Sequence, residues 1–86
     1  MTKQKDEPQS YEITWVDIQS DEDAWVSEED IKEHDVALCK DICYIYSDKN
    51  NKLITYTSYS VDSDGSVSYG GVCAFPKGCI KKIRKL

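Results

Sequence analysis

The sequence predicts a mainly β fold, a five-stranded small barrel with one short helix inserted between strands 1 and 2. Three observations predict it. Apolar residues alternate with polar ones over several short segments, as they do on strands with one buried face. Clusters of Asn, Asp and Gly separate these segments. The chain then ends on two short apolar runs joined by the tight turn Pro76-Lys77-Gly78, which is typical of a small barrel.

The first ordered element is a strand near the N-terminus. Residues 1–9 are polar and charged and include a proline, which predicts a disordered N-terminal arm before a single domain over residues 10–86. The alternation that follows places Tyr11, Ile13 and Trp15 on one face of a strand. We therefore expect Trp15 to anchor the core.

One short helix is predicted between the first two strands. Trp25 and Val26 are expected to return to the core after an acidic loop. Ser27 and Asp30 then have the spacing of a capping box, and acidic residues in the first turn complement the positive end of a helix dipole. These signals predict a helix over residues 28–33.

Four more strands are predicted after the helix. The first is apolar on both faces, which is typical of a long, strongly bent barrel strand. Gly70 and Gly71 indicate a bulge or a close backbone approach in the third. The predicted strands cover residues 36–47, 53–60, 67–75 and 80–86, joined by turns at 48–51, 62–65 and 76–78.

Several segments together resemble a known group of proteins. They are Trp15-x-Asp17, the acidic loop with Trp25, Cys39-x3-Cys43-Tyr44-Ile45, a Ser/Thr-rich strand and the run from Phe75 to Ile83. In this order they resemble small proteins of tailed phages and prophages, and the resemblance covers nearly the whole chain after residue 10. It implies an accessory protein in the cytoplasm of a bacterial host cell. The group has no diagnostic catalytic motif.

The C-terminal segment is also similar to the closing motif of Sm and Sm-like proteins. In that motif an Arg-Gly-Asn turn precedes two apolar residues three apart, as Ile80 and Ile83 are here. This similarity implies an SH3-like or Sm-like small barrel. The chain has Lys77-Gly78-Cys79 in place of Arg-Gly-Asn, so the Asn that packs against an RNA base in that family is absent.

The net charge of −5 conceals a division along the chain. Residues 1–35 carry twelve acidic side chains and three lysines, a net charge of −9, whereas residues 36–86 carry a net charge of +4. Segregated charge either keeps the protein soluble, brings the two halves together or offers each sign to a partner. The candidate interaction surface contains ten charged residues: Asp21, Glu22, Asp23, Glu28, Glu29, Lys77, Lys81, Lys82, Arg84 and Lys85.

The four cysteines are predicted to be free thiols. The start of the chain has no apolar segment for export, which favours a reducing cytosol. Zinc is the alternative, but the spacings Cys-x3-Cys and Cys-x5-Cys differ from the Cys-x2-Cys of a zinc knuckle. Cys39 and Cys43 on one strand would also lie about 13 Å apart, too far to share an ion. No cofactor or metal is expected.

No pattern of residues predicts an enzyme. His34, the only histidine, falls at the end of the predicted helix, where a histidine interacts favourably with the helix C-terminus. Asp62-Ser-Asp-Gly-Ser66 is similar to the start of a calcium loop, but Val67 and Cys73 stand where such a loop needs Gly and Glu. A hairpin turn is the simpler interpretation.

The sequence therefore favours a non-enzymatic interaction module that binds a host protein, with no membrane partner. The alternative is a small-barrel binder of nucleic acid or nucleotides that uses the basic C-terminal strand and a tyrosine face. A pI of about 4.7 argues against a general nucleic-acid binder. Imitation of a phosphate backbone by residues 17–35 is a further alternative. The tyrosines available for stacking are Tyr44, Tyr46, Tyr56 and Tyr59.

Overall fold

The computed structural model describes residues 8–86 as a mainly β fold. Most of the predicted disordered arm, residues 1–7, lies outside the described residues. In chain order the elements are β1 (Ser10–Asp17), α1 (Glu28–Glu33), β2 (Ala37–Lys49), β3 (Lys52–Tyr56), β4 (Ser58–Val61), β5 (Val67–Gly70), β6 (Cys73–Pro76), a 3-10 helix (Lys77–Cys79) and β7 (Ile80–Lys85).

Five strands form one antiparallel sheet in the order β6-β3-β2-β1-β7. The two edge strands are consecutive in the chain, and only the 3-10 helix Lys77–Cys79 joins them. Five flat strands would hold their outer members about 19 Å apart, whereas three 3-10 residues span about 6 Å. The sheet must therefore curl until its two edges meet at the 3-10 helix.

The curled sheet is not closed into a barrel. Among residues 8–86 no ladder pairs β6 with β7, and each keeps one unpaired edge. The mainly β class and the short inserted helix are thus confirmed. The count of five strands in one barrel differs from the seven strands in two sheets that the structure has.

The core lies on the concave face of the curled sheet. Ile13, Cys43, Leu53 and Phe75 are buried there, one from each of β1, β2, β3 and β6. Trp15 packs against this cluster, and its ring centroid lies 5.2 Å from that of Phe75 in an edge-to-face arrangement. Trp15 on β1 therefore contacts the edge strand β6 across the interior, as expected of a core anchor.

Two predicted strands are each divided by a kink in the longest hairpin. Residues 53–60 become β3 and β4, and residues 67–75 become β5 and β6, so that β4 and β5 form a separate two-stranded sheet. At the kink the Thr57 N–H donates to Gly70 O at 3.0 Å. Gly71 has a φ of 63°, and a Cβ there would overlap the Thr57 side chain. Only glycine meets both conditions without strain.

The predicted turn at 48–51 is shorter in the structure, because β2 extends to Lys49 and the turn consists of Asn50 and Asn51. Asn50 and Asn51 adopt φ angles of 57° and 63° between β2 and β3, which Asn tolerates better than other side chains. The predicted tight turn at 76–78 overlaps the 3-10 helix Lys77–Cys79, whose Lys77 N–H donates to Asn51 O at 3.1 Å. This bond ties the connection between the sheet edges to the β2–β3 turn.

The predicted helix over residues 28–33 is confirmed as α1, Glu28–Glu33. It is six residues long and contains one large apolar residue, Ile31. Within residues 8–86 there is no helix with the length and apolar character needed to cross a membrane.

Candidate interaction surfaces

The first surface is the acidic loop, defined as residues 18–36 and including α1. The helix is capped at its N-terminus by Ser27, whose Oγ accepts a hydrogen bond from the Asp30 N–H at 3.1 Å. It ends at His34, whose N–H donates to Ile31 O at 3.3 Å. The His34 ring also reaches across the loop, with Nε2 2.7 Å from Gln19 O. This contact joins the two ends of the acidic loop at its base.

The acidic loop exposes its largest apolar side chains. Trp25 is 92% exposed and Ile31 is 63% exposed. The prediction that Trp25 returns to the core is therefore wrong, and Val26 beside it is only half-buried. The physical reason is that α1 has one apolar residue in six, so it offers no apolar stripe that would dock the loop on the sheet.

Carboxylates surround these apolar side chains in sequence. The acidic loop has eight acidic residues and one lysine, a net charge of −7 with His34 neutral. Its one ion pair among the described residues joins Lys32 Nζ to Glu28 Oε2 at 3.3 Å within α1, and both side chains are largely exposed. The predicted acidic candidates all lie in this loop: Asp21, Glu22, Asp23, Glu28 and Glu29.

The second surface is the outer face of the sheet, defined as the side of β2, β1 and β7 opposite to Ile13. Directly opposed residues of neighbouring strands share a face. Leu38 lies opposite Val16 and Ile42 lies opposite Glu12. Leu38 is 66% exposed and Ile42 is 65% exposed. β2 is apolar on both faces as predicted, but only its inner face is covered.

Three cations lie among these apolar side chains. Lys40 on β2 and Lys82 on β7 both oppose Thr14, and Arg84 opposes Glu12. Arg84 Nη2 is 3.2 Å from Glu12 Oε1, whereas neither lysine forms an ion pair with any of residues 8–86. The outer face therefore combines exposed leucine and isoleucine with a net positive charge.

The structure separates the predicted basic candidates. Lys82 and Arg84 lie on the outer face, and Lys81 lies at the register shift between β1 and β7. Lys85 opposes Tyr11 on the inner side, and Lys77 forms an ion pair with Asp48 at 2.6 Å. The five basic residues of the C-terminal segment are therefore not one patch.

The candidate residues taken from the sequence do not include Lys40, which lies on the outer face. Lys40 is two residues from both Leu38 and Ile42, so the period of a strand places all three on one face. That spacing was the available signal. The pairing of Lys40 with Lys82 across β1 could not be read from the sequence, because it depends on which strands are neighbours.

Five tyrosines pack together where the kinked hairpin contacts β2 and β3. Tyr56 is their centre, with its ring centroid 4.8 Å from that of Tyr69, 5.2 Å from that of Tyr44 and 6.2 Å from that of Tyr59. Tyr46 joins through Tyr69 at 5.4 Å. The tyrosines predicted as stacking faces thus contact one another, and Tyr56 is buried.

Two concavities accompany these surfaces. A pocket of about 190 Å³ lies beside the tyrosine cluster and is lined by Tyr46, Tyr69 and Val72 among others, with no charged side chain. A slot of about 340 Å³ lies between β1 and β6 and is lined by Trp15, Phe75 and neighbouring residues. The slot lies where β1 and the edge strand β6 face each other without a ladder between them.

Asp17, Cys73 and Cys79 are among the residues that line the slot. Burial raises the pKa of the Cys43 thiol. Hydrogen bonds from the Ser66 backbone and hydroxyl lower the pKa of Asp64, in the predicted hairpin turn. Among residues 8–86 no three metal-ligating side chains converge, and all four cysteines are unpaired thiols in the structure. The expectations of no metal, no cofactor and no enzymatic activity stay predictions.

Comparison with known proteins identifies no relative. No family model matches the chain, and neither a curated protein nor a solved structure is detectably similar to it. The function proposed below therefore rests on the geometry of residues 8–86 and on the motifs in the sequence.

Proposed function

We propose that this chain is a non-enzymatic interaction module that binds a protein partner through its acidic loop. The single observation that carries the proposal is the exposure of Trp25, 92%, within a loop of net charge −7. A tryptophan costs free energy when it is left in water, and nothing among the described residues covers it. Its burial in a partner would recover that free energy.

The chemistry of the loop matches that of a binding hot spot. Binding energy in protein interfaces is concentrated in a few aromatic or arginine side chains surrounded by polar ones. Trp25 and Ile31 are the apolar candidates, and the acidic residues around them would form the polar rim. Carboxylates at a rim mainly raise the association rate and select a basic partner surface.

The proposed scaffold is an SH3-like or Sm-like small barrel. The support is topological: the two edge strands of the curled sheet are joined by the 3-10 helix Lys77–Cys79, and Trp15 contacts Phe75 across the interior. In this arrangement the acidic loop is the long connection between the first two strands. Loops on a rigid sheet are the common location of binding residues.

The proposed biological setting is that of a tailed-phage or prophage accessory protein in the cytoplasm of a bacterial host cell. Its support is the resemblance of the segments around Trp15, Trp25 and Phe75 to that group. The partner would then be a host protein. This part of the proposal is separate from the role of the acidic loop and is tested by identifying what is captured.

Affinity capture from a host lysate, followed by calorimetry with the recovered protein, tests the proposal. We expect Trp25→Ala to lower the affinity by at least about 30-fold, the effect of removing a hot spot of about 2 kcal/mol. Asp21, Glu22 and Asp23 changed together to Lys should abolish capture. Val61→Ala is the matched control, because Val61 is also exposed but lies on β4, outside the loop.

The opposite result would indicate that the basic C-terminal segment forms the contact. If Lys81, Lys82 and Arg84 changed together to Glu abolish capture and Trp25→Ala does not, the acidic loop is not the contact. If neither triple variant nor Trp25→Ala changes the affinity of the recovered partner, the division of charge serves solubility alone and the proposal is wrong.

A second candidate function is binding of nucleic acid on the outer face. The observation in its favour is that Lys40, Lys82 and Arg84 share that face. Against it, Arg84 is paired with Glu12, and the tyrosine rings that would stack on bases contact one another. Titration with single-stranded oligonucleotides separates this candidate from the first.

A further inference from the structure

We propose that the outer face of the sheet is a docking surface for the acidic loop of a second copy of this chain. The inference rests on the proposed function, because it uses the same loop, and it names one partner of that loop. A reciprocal exchange of two loops would produce a two-fold symmetric dimer.

The apolar parts of the acidic loop and of the outer face are complementary. The acidic loop projects Trp25 and Ile31 into solvent, and the outer face exposes Leu38 and Ile42. An exposed cluster of large apolar residues rimmed by polar ones is typical of a protein interface. The apolar side chains of the acidic loop are therefore not buried in the same chain, and the apolar side chains of the outer face are not covered by it.

The charges of the two surfaces are opposite. The loop has a net charge of −7. On the outer face Lys40 and Lys82 flank Thr14 from both sides, and neither forms an ion pair among residues 8–86. Docking of the loop would give both lysines carboxylate partners. A basic face and an acidic loop on separate copies therefore attract, whereas two faces or two loops repel.

The loop does not cover Leu38 and Ile42 on the outer face of its own chain. Asp17 and Ala37 are the last paired residues before the loop, so the loop leaves from the end of β1 and β2. The contact of His34 with Gln19 O then closes its base. The exposure of Trp25, Leu38 and Ile42 shows that the loop leaves this face of the same chain uncovered. A second copy supplies what the same chain cannot.

Two-fold exchange also enlarges the interface. Each buried tryptophan contributes roughly 150 to 250 Å². Because an isologous interface makes every contact twice, the two tryptophans together bury roughly 300 to 500 Å², a substantial part of the area of about 1,200 Å² at which specific complexes begin.

Sedimentation equilibrium of the purified full chain tests the inference. We expect a monomer–dimer equilibrium with a Kd in the range of about 1 to 100 µM at low salt. The affinity should weaken at least tenfold between about 50 and 500 mM salt, because the Debye length falls several-fold. In parallel, the indole N–H signal of Trp25 should shift with protein concentration.

Charge-swapped variants make the test specific. Lys40→Glu with Lys82→Glu on the face, and Asp21→Lys with Asp23→Lys on the loop, should each reduce self-association at least tenfold. A mixture of the two variants should associate, because one loop and one face then again have opposite charge. Lys49→Glu with Lys52→Glu is the matched control, since both lysines lie at the β2–β3 turn, beyond the part of β2 that pairs with β1.

Three results would overturn the inference. They are a monomer at about 500 µM protein and low salt, a dimer that the charge variants and Trp25→Ala do not affect, and a Trp25 signal that is protected at every concentration, which would mean that the loop folds onto its own chain. A monomer that still binds a captured host protein through Trp25 would remove this inference and leave the proposed function intact.

Discussion

Trp15 connects the two ends of the curled sheet. Its ring meets Phe75 of the edge strand β6, while its own strand lies next to the other edge. The indole Nε1 is buried and has no hydrogen-bond partner among residues 8–86. An unpaired buried donor costs about 1 to 3 kcal/mol, so Trp15 stabilises the fold through its apolar contacts and in spite of its N–H.

The loss of stability on substitution of Trp15 should therefore depend strongly on the shape of the new side chain. We expect Trp15→Ala to lower the free energy of unfolding by about 3 to 5 kcal/mol. Trp15→Phe should cost much less, because it keeps an aromatic ring against Phe75 and removes the unpaired donor. Urea denaturation measures both.

Trp25→Ala is the control for Trp15, since the same chemical change at an exposed site should alter the free energy of unfolding by less than about 0.5 kcal/mol. If Trp15→Ala leaves the midpoint of unfolding unchanged, Trp15 is not a core residue and the contact with Phe75 does not support the sheet.

The Cys43 thiol makes the stability depend on alkaline pH. Its pKa is raised from 9.0, first because burial disfavours the thiolate and then because Asp41 and Cys73 lie nearby, while the Thr55 hydroxyl acts in the opposite direction. The folded state therefore keeps this proton to higher pH than the unfolded state does. The resulting stabilisation is complete below the pKa of the unfolded chain and is lost as pH rises through the raised pKa.

The melting temperature should accordingly fall as pH rises above about 9. Cys43→Ala should make the first part of this decline shallower. Cys79→Ala is the matched control, because it removes a thiol that is only half-buried. Tyr56, whose pKa is raised from 10.0 by burial and by the tyrosines around it, should add a second decline at higher pH. A decline of equal size in Cys43→Ala and the unchanged chain would exclude Cys43 as its cause.

The kinked hairpin is the element that distinguishes this fold from a simple five-stranded sheet. Without the kink, β3 and β4 would run as one strand against β5 and β6. The turn at Thr57 and Gly71 instead brings Tyr59 and Tyr69 against Tyr56, and the tyrosine cluster joins this part of the hairpin to β2 and β3.

Gly71→Ala should destabilise this arrangement. A left-handed backbone costs a non-glycine residue about 1 to 2 kcal/mol, and the new Cβ would also overlap the Thr57 side chain. Gly78→Ala is the control, because Gly78 has no atom within 4 Å of a Cβ position and no positive φ. Thermal unfolding compares the stabilities, and loss of the nuclear Overhauser contacts between Tyr56 and Tyr69 reports on the kink. Equal stability of the two variants would show that the kink does not require glycine.

At the scale of the whole molecule, the charge division becomes a division between two surfaces. The acidic loop is strongly negative and the outer face is positive, while Lys77 is occupied by Asp48 on another side. Neither surface covers the other in one chain. The charges therefore remain available for intermolecular contacts.

The same arrangement predicts weak binding of nucleic acid. Lys40, Lys82 and Arg84 share the outer face around β1, Arg84 is paired, and the net charge of the chain is −5. We expect a labelled single-stranded oligonucleotide to show no saturable binding below about 100 µM at physiological salt. Fluorescence anisotropy measures this. Saturable binding that Lys40→Glu and Lys82→Glu abolish would favour the second candidate function over the first.

Local physics explains which elements could be predicted from the sequence. Ser27 caps α1 because its hydroxyl satisfies a helix N–H three residues on, and Asn50 and Asn51 turn because their side chains tolerate positive φ. The alternation around Ile13 set the buried face of β1. Each of these features depends on residues within a few positions of one another, so the sequence alone determined them.

The tertiary structure decided what depends on distant residues. Trp25 was expected inside and is outside, because α1 has no apolar stripe that would dock its loop on the sheet of the same chain. Lys40 and Lys82 are 42 positions apart in sequence and share a face only because β1 lies between β2 and β7. The kink arises where Thr57 meets Gly71 across a hairpin. Burial and the order of strands in a sheet depend on contacts between distant parts of the chain, so the composition of one segment could not reveal them.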